Sequence, residues 1–218
     1  MPDVFRTAGL IANGIHYTDL SIKEGLATFI TGPSGVGKST LLKLFNGTRS
    51  PSSGEIYYRE TNIADLDTIA LRKKVILTGQ DLYLFDGTIL ENFHRFYGYR
   101  EESAPSTEIL EHFLSLCCLN CSITSNTSTM SGGEKQRIYL ALFLSFMPDV
   151  LLLDEPTSAL DVRNSNDIFE NIFGFCRTNK ITVIVVSHDL SLAEKFSEAC
   201  IDLGQLAKKE VSGHEWHY

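Results

Sequence analysis

The chain has 218 residues, 43% of them hydrophobic and 21% charged, which is enough apolar material for one domain-sized core. The formal net charge is −8 at pH 7, and the sequence has no run rich in lysine and arginine. This charge balance disfavours nucleic-acid binding through a basic surface, and we expect no nucleic-acid partner. We predict a single domain over residues 1–218.

Membrane insertion and secretion are not predicted. The longest apolar stretch, residues 138–147, is shorter than the roughly 20 residues that cross a bilayer. The N-terminus lacks a basic segment followed by an apolar one, so we expect no secretory signal and contact with a membrane only through a partner. Five cysteines, an odd number, favour reduced thiols. Cys118 and Cys121 have the spacing of half a zinc site, but we interpret them as small apolar side chains on a helix.

Apolar runs alternate with helix-like segments, which predicts an α/β fold with a largely parallel sheet. Unbroken runs of Val, Ile and Leu suit strands that helices cover on both faces. The strands predicted for this sheet are residues 26–31, 75–78, 150–153, 181–186 and, more weakly, 199–203. The N-terminal segment and residues 54–59 are predicted to form a small antiparallel sheet beside it.

Helices are predicted over residues 40–45, 88–95 and 106–118, and a further apolar helix follows residue 137. Polar stretches at residues 98–105 and 120–129 are predicted loops. Residues 87–147 therefore form a predicted helical insertion.

A phosphate-binding sequence follows the first predicted strand of the parallel sheet. Residues 32–39 match the pattern G-x-x-x-x-G-K-[ST] at every fixed position and open a helix. Glycines let the backbone close around phosphate, and the helix N-terminus favours an anion. Lys38 is expected to reach the outer phosphates and the Ser39 hydroxyl to bind Mg²⁺. The predicted nucleotide contacts here are Gly32, Pro33, Ser34, Gly35, Val36, Gly37, Lys38, Ser39 and Thr40. This pattern alone indicates only a nucleotide phosphate, because kinases, GTPases and ATPases share it.

Two carboxylates end the apolar run at residues 150–153. Asp154 is expected to hold Mg²⁺, and Glu155 to orient and polarise an attacking water. Alone, a strand that ends in acidic residues is common. Together with the phosphate-binding loop it indicates a nucleotide site, because ligands of open α/β sheets bind at the carboxyl ends of strands.

One further motif indicates a family. Residues 131–137, Ser-Gly-Gly-Glu-Lys-Gln-Arg, resemble the signature motif of ATP-binding cassette (ABC) ATPases, with Met130 in place of the usual leucine. In that family's order, Gly25 precedes the first strand, Gln80 follows the strand at residues 75–78, residues 158–161 resemble the D-loop, and His188 resembles the switch histidine. The resemblance covers about residues 20–203. It implies the P-loop NTPase ABC-ATPase fold, with a RecA-like core, a small antiparallel β subdomain and an inserted helical subdomain.

The resemblance also implies the chemistry, with ATP and Mg²⁺ as ligands. A head-to-tail pair of cassettes would place each ATP between the phosphate loop of one chain and the signature motif of the other. The signature residues Ser131, Gly132 and Gly133, and Asp161 of the D-loop, would complete the nucleotide site. The expected catalytic residues are Glu155, His188, Lys38 and Gln80, and the expected metal ligands are Ser39, Gln80 and Asp154.

The partners that the resemblance implies are a second ABC ATPase subunit, identical or paired, and an integral membrane permease subunit. The expected location is cytoplasmic, peripheral on the inner face of the cell membrane. Residues 82–85, Leu-Tyr-Leu-Phe, would receive the permease, although a buried turn is the alternative. Residues 84–89 resemble exporter cassettes, and residues 30–35 with 146–148 resemble a subfamily of iron exporters.

Two other hypotheses stay open. One is a non-transport ABC ATPase that acts on nucleic acid or ribosomes, although such proteins carry a long coiled coil or a second cassette. The other is a regulatory nucleotide-binding module without turnover, against which Glu155 and His188 both argue.

In the ABC family an aromatic residue usually stacks on adenine, and its usual position falls near Gly9 in this sequence. Phe5 is the candidate, and Tyr17 lies too close to the loop.

Overall fold

The computed structural model describes residues 1–79, 82–157, 162–188 and 190–209. Gln80 and the predicted D-loop at residues 158–161 therefore lie outside the described residues. The strands are β1 (Asp3–Ala12), β2 (Ile15–Tyr17), β3 (Ser21–Lys23), β4 (Ala27–Thr31), β5 (Ser53–Tyr58), β6 (Thr61–Asn62), β7 (Val75–Thr78), β8 (Val150–Asp154), β9 (Thr182–Val186), β10 (Ala199–Asp202) and β11 (Ala207–Lys209). The helices are α1 (Lys38–Phe45), α2 (Thr68–Lys74), α3 (Ile89–Tyr99), α4 (Thr107–Leu116), α5 (Gly132–Ser145), α6 (Val162–Thr178), α7 (Leu190–Phe196) and α8 (Leu203–Leu206), with 3₁₀ turns at Ile63–Asp65 and Thr127–Thr129.

The larger layer is the predicted parallel sheet. Its strand order is β10-β4-β9-β8-β7, and every neighbouring pair is parallel. All residues of β8 and β9 are buried, as their unbroken apolar sequences indicated. Since the strands are parallel, β4, β8 and β9 end at the same edge of the sheet. The α/β prediction is confirmed.

The smaller layer is the predicted antiparallel sheet. Its order is β11-β2-β1-β5-β6, and β3 also pairs with β1. The long strand β1 is its centre, because it pairs with β2, β3 and β5. Helix α1 contacts β5 of this sheet and β7 and β8 of the parallel sheet. Leu41, Leu42, Leu44 and Phe45 of α1 are fully buried, so the helix that follows the phosphate loop is anchored between both layers.

Helices α3, α4 and α5 occupy the chain between β7 and β8, where the sequence predicted helices. Helix α3 continues to Tyr99, four residues beyond the expected end. A capping box in which Thr88 and Glu91 exchange hydrogen bonds fixes its start. The expectation that Cys118 and Cys121 lie on a helix was wrong. Helix α4 ends at Leu116, because the backbone becomes left-handed at Cys118, with φ of 55°. That residues 87–147 form a separate subdomain stays a prediction.

Across the described ranges, no helix has both the length and the apolar character that crossing a membrane requires.

Candidate nucleotide-binding and hydrolysis site

A cavity of about 390 Å³ opens at the edge where β4, β8 and β9 end. Four chain segments line it: the turn before β2 with the first residue of β2, the phosphate loop with the start of α1, the residue after β8, and the segment after β9. The lining residues are Asn13, Ile15, Ser34, Gly35, Gly37, Lys38, Ser39, Thr40, Glu155 and His188. Folding therefore brings together most of the predicted phosphate loop, including the predicted catalytic residue Lys38, with the predicted catalytic residues Glu155 and His188.

The phosphate loop folds back on the side chain of its own lysine. The Lys38 ammonium donates to the Gly32 carbonyl at 2.7 Å and to the Pro33 carbonyl at 3.0 Å. These carbonyls hold the cation at the loop, next to the cavity that it lines. Burial lowers the pKa of Lys38, whereas the nearby charges of Glu155 and Asp154 act in the opposite direction. Val36 differs from the other loop residues because its side chain packs against the buried core that includes α1.

Ser39 and Asp154 meet at the ends of α1 and β8. The Ser39 hydroxyl donates to Asp154 Oδ1 at 2.9 Å. Asp154 is only 5% exposed, and burial raises the pKa of its carboxyl group, while the Ser39 hydrogen bond and the charges of Lys43 and Lys38 lower it. A buried carboxylate beside a hydroxyl is a donor set of the kind that Mg²⁺ prefers, so these residues fit the predicted metal.

Glu155 and His188 face each other across the ends of neighbouring strands. Glu155 Oε1 lies 3.2 Å from His188 Nε2, and the backbone N–H of His188 donates to Glu155 Oε2 at 3.3 Å. Glu155 has a left-handed backbone, with φ of 50°, and its own N–H donates to the Val186 carbonyl at 2.9 Å. A non-glycine residue with positive φ is uncommon, and it turns the chain sharply out of β8. The Glu155 carboxylate therefore lies in the wall of the cavity.

The predicted signature motif forms the start of α5. The Ser131 backbone N–H and hydroxyl both donate to Glu134 Oε2, at 2.9 and 2.7 Å, and the Glu134 N–H donates to the Ser131 hydroxyl at 3.3 Å. This is a capping box, and it leaves Ser131 and Gly132 exposed. The Ser131 hydrogen bonds lower the pKa of Glu134. Farther along α5, the Gln136 side chain donates to the Pro156 carbonyl at 2.6 Å, which links the signature helix to the segment after Glu155.

The structure does not bring every predicted site residue to one place. Ser131, Gly132 and Gly133 are not among the described residues that line the cavity. Within one chain, the phosphate loop and the signature motif therefore do not share this cavity. Gln80 and Asp161, predicted as a metal ligand and as a contact across the dimer, fall outside the described ranges.

The candidate adenine-stacking residue was wrong. Phe5 is fully buried in β1, and its ring stacks on Phe45 of α1 with centroids 4.4 Å apart. A ring enclosed in the core cannot present a face to a nucleotide base. Sequence reasoning also missed Asn13 and Ile15, which line the cavity on the side of the antiparallel sheet. Their only sequence signal was the Asn-Gly turn before a short apolar segment.

Comparison with known proteins decides the family. A family model described as ABC transporter matches residues 15–158, about two thirds of the chain. The chain belongs to the ABC transporter family. It is an ABC-type ATPase, the ATP-binding subunit type of these transporters, as the sequence motifs predicted.

Individual relatives agree with the family model. The probable iron export ATP-binding protein FetA of Escherichia coli (strain K12) is 41% identical over 180 residues, which cover 82% of this chain and 78% of FetA. The dimeric post-hydrolysis structure of the ATP-binding cassette MJ0796, bound to ADP and Pi, is 28% identical with a TM-score of 0.79, covering 94% of this chain and 98% of that one. The structure of cbiO1 from Clostridium perfringens, part of the ABC transporter complex cbiONQ, is 26% identical with a TM-score of 0.81, covering 94% and 86%.

Proposed function

We propose that this ABC ATPase powers transport through a separate membrane-spanning subunit by closing and opening as a pair of cassettes. The observation that carries the hydrolytic part is the contact of 3.2 Å between Glu155 and His188 in the wall of the cavity that holds Lys38. It puts a carboxylate and an imidazole beside a phosphate-binding loop. A nucleotide-binding module without turnover would need neither group.

The roles follow from the positions of the groups. Lys38 and the loop amides would bind the outer phosphates, and Glu155 would orient and polarise the attacking water. His188 would donate a hydrogen bond to the γ-phosphate, and the hydrogen bond from its backbone N–H to Glu155 would keep it next to the carboxylate. Most of the barrier reduction in phosphoryl transfer comes from such positioning and charge stabilisation.

Ser39 and Asp154 would hold Mg²⁺, whose role is to neutralise charge on the outer phosphates. The buried carboxyl of Asp154 supports this assignment, because burial disfavours its charge and a cation would compensate. Gln80 is proposed as a further ligand on the sequence motif alone.

The second half of the site would come from a partner cassette. The exposed start of α5, at Ser131 and Gly132, is absent from the described lining of the cavity in its own chain. A head-to-tail pair would place that helix N-terminus against the γ-phosphate held by the other chain, where the helix dipole favours an anion. Such an ATP contacts both chains only in the closed state, so its binding would favour closure. The related cassette MJ0796 is dimeric with ADP and Pi bound, and Asp161 is proposed to act across the same interface.

A cluster of aromatic residues, two of them exposed, supports docking of the membrane subunit. Tyr83 is 59% exposed and Tyr99 is 74% exposed. Phe85 lies between them, with its ring centroid 4.9 Å from that of Tyr83 and 5.8 Å from that of Tyr99, and Arg95 lies 5.2 Å above it. The alternative interpretation of residues 82–85 was a buried turn, and the exposure of Tyr83 argues against it. Next to this cluster, a groove of about 240 Å³ is lined by Phe96, Tyr99, Phe143 and Phe146 among others.

We propose that Tyr83, Phe85, Phe96, Tyr99, Phe143 and Phe146, which we call the aromatic surface, receive the permease subunit at the inner face of the membrane. The related cassette cbiO1 is part of a multi-subunit transporter complex. The relative FetA is named for iron export, so iron is the first cargo to test.

The test is site-specific photocrosslinking in membranes of the native host. A photoreactive residue at Tyr83 is expected to capture a multi-span membrane protein. The matched control is Ile109, which is 49% exposed on α4. Capture of a ribosomal or nucleic-acid-binding protein at Tyr83 instead would favour the non-transport hypothesis. Stimulation of ATP hydrolysis by candidate metal ions, measured on the purified complex, then tests the cargo.

A further inference from the structure

A buried tyrosine contacts the phosphate loop from the side of the antiparallel sheet. The Tyr17 hydroxyl donates to the Gly37 carbonyl at 3.0 Å, and the Leu41 N–H donates to the same oxygen at 2.9 Å. Tyr17 is only 4% exposed and does not line the cavity. None of the roles described above uses this residue.

Gly37 has no side chain that would restrain its backbone. Its φ is 102° and its ψ is 15°, a conformation that residues with a Cβ rarely adopt. A Cβ built at Gly37 would lie 2.4 Å from the Tyr17 hydroxyl oxygen and 2.8 Å from Ile15 Cδ1. Tyr17 and Ile15 therefore leave no room for a side chain at Gly37. Since glycine itself imposes little order, the order at this position must come from its neighbours.

The peptide bond between Gly37 and Lys38 joins this contact to the phosphate site. In a planar trans peptide, the carbonyl oxygen and the following N–H point in opposite directions. Lys38 is the first residue of α1, so its N–H has no acceptor within the helix and is free to bind an anion at the helix N-terminus. We propose that Tyr17 is a positioning residue for nucleotide binding, because its hydroxyl fixes this peptide with the Lys38 N–H towards the phosphates.

Tyr17 lies on an inner strand of the antiparallel sheet. Its strand β2 pairs with β1 on one side and with β11 on the other, where Tyr17 is opposite Ala207. Burial raises the pKa of Tyr17 to about 12, so the hydroxyl keeps its proton and remains a donor at neutral pH. The proposal rests on the phosphate-binding role of the loop, which includes Lys38.

Tyr17→Phe tests the proposal, because it removes the hydroxyl and keeps the ring. We expect the Kd for Mg-ADP, measured by titration calorimetry, to rise about threefold to tenfold, the effect of losing one hydrogen bond. The KM for ATP should rise by a similar factor, whereas kcat should stay within about twofold, since the hydroxyl acts on binding and not on the attacking water. The ³¹P resonance of the β-phosphate in bound ADP should also shift.

The matched control is Tyr97→Phe. Tyr97 is 5% exposed, and its hydroxyl also donates to a backbone carbonyl, that of Ser145, at 2.8 Å. Both variants are expected to lose similar thermal stability without nucleotide, but Tyr97→Phe should bind ADP as the wild type does. Equal ADP affinity and an unshifted ³¹P resonance in Tyr17→Phe would overturn the proposal.

A second substitution serves if Tyr17→Phe does not fold. para-Fluorophenylalanine at position 17 fills the place of the hydroxyl but has no proton to donate. Its Kd for ADP should rise by about the same threefold to tenfold, and an unchanged Kd would again overturn the proposal. Wild-type protein that fails to bind ADP would instead refute the phosphate-binding role of the loop.

Discussion

Glu155 and His188 hold each other by two contacts, one between their side chains at 3.2 Å and one from the His188 N–H to the carboxylate at 3.3 Å. The first residue follows β8 and the second follows β9, so two adjacent strands of the parallel sheet fix the pair. We propose that this arrangement positions the Glu155 carboxylate to orient the attacking water.

Glu155→Gln is therefore expected to lower kcat for ATP hydrolysis by about 100-fold or more, the usual contribution of a positioned base. The amide keeps the shape of the side chain, so ATP should still bind and drive dimer formation, which light scattering with ATP measures. The control is Glu170→Gln, an exposed carboxylate that contacts Lys195 on the surface. Hydrolysis by Glu155→Gln at the wild-type rate would refute the role of Glu155.

Lys38→Ala is expected to weaken ATP binding by at least about tenfold, because the loop loses the cation that its own carbonyls hold in place. Titration calorimetry with Mg-ATP measures this. Lys74→Ala is the matched control, since Lys74 is an exposed lysine at the end of α2. Unchanged ATP affinity in Lys38→Ala would show that the loop does not bind the phosphates as proposed.

Weak base selectivity is expected because Phe5 is enclosed in the core. Among the described residues that line the cavity, none is Phe, Tyr or Trp, and Asn13 and Ile15 lie on the side of the antiparallel sheet. Stacking between aromatic rings contributes about 1 kcal/mol, and this contribution would be missing. We expect kcat/KM for ATP to exceed that for GTP by less than about tenfold. A preference above about 100-fold, measured by phosphate release with each nucleotide, would contradict this.

The sequence predicted the fold and the phosphate site for physical reasons. Strands such as β8 and β9 are buried on both faces, so their sequences are apolar without interruption, and Ser39, Asp154 and Glu155 follow fixed motifs. The adenine side was not predictable in this way. Whether a ring such as Phe5 faces a ligand or the core depends on the register of β1 against β5, where Phe5 pairs with Tyr58. A single sequence does not reveal that register.

The role of Tyr17 was hidden for a related reason. Its contact with Gly37 joins residues 20 positions apart through the packing of two different layers. Spacing along the chain indicated only that Tyr17 is too close to the loop to stack on adenine.

A pH dependence follows from the two capping boxes. Hydrogen bonds from Thr88 and Ser131 lower the pKa of Glu91 and Glu134 in the folded protein. A lowered folded pKa means that the stabilisation is fully present above the ordinary glutamate pKa of about 4.3 and is lost as the pH falls through the lower folded value. Glu134→Gln should therefore lose less stability than the wild type between about pH 5 and pH 3. Chemical denaturation across that range measures it, and parallel curves for both proteins would contradict it.

Substitutions in the same two capping boxes distinguish a structural role of Ser131 from a role in ATP hydrolysis. Ser131→Ala and Thr88→Ala each remove a helix cap, and each should lower the free energy of unfolding by about 0.5–2 kcal/mol. Ser131→Ala should in addition lower the hydrolysis rate at least about fivefold if the start of α5 completes the site of the partner cassette, as proposed.

Calorimetric melting and phosphate release, measured on both variants at the same temperature, distinguish these effects. Thr88 caps α3, and α3 supplies none of the cavity-lining residues described. The hydrolysis rate of Thr88→Ala should therefore match that of the wild type below its melting transition. If the two variants lose equal stability and neither loses activity, the start of α5 is only a capped helix end. The proposed pairing of Ser131 with the phosphate loop of a second chain would then be wrong.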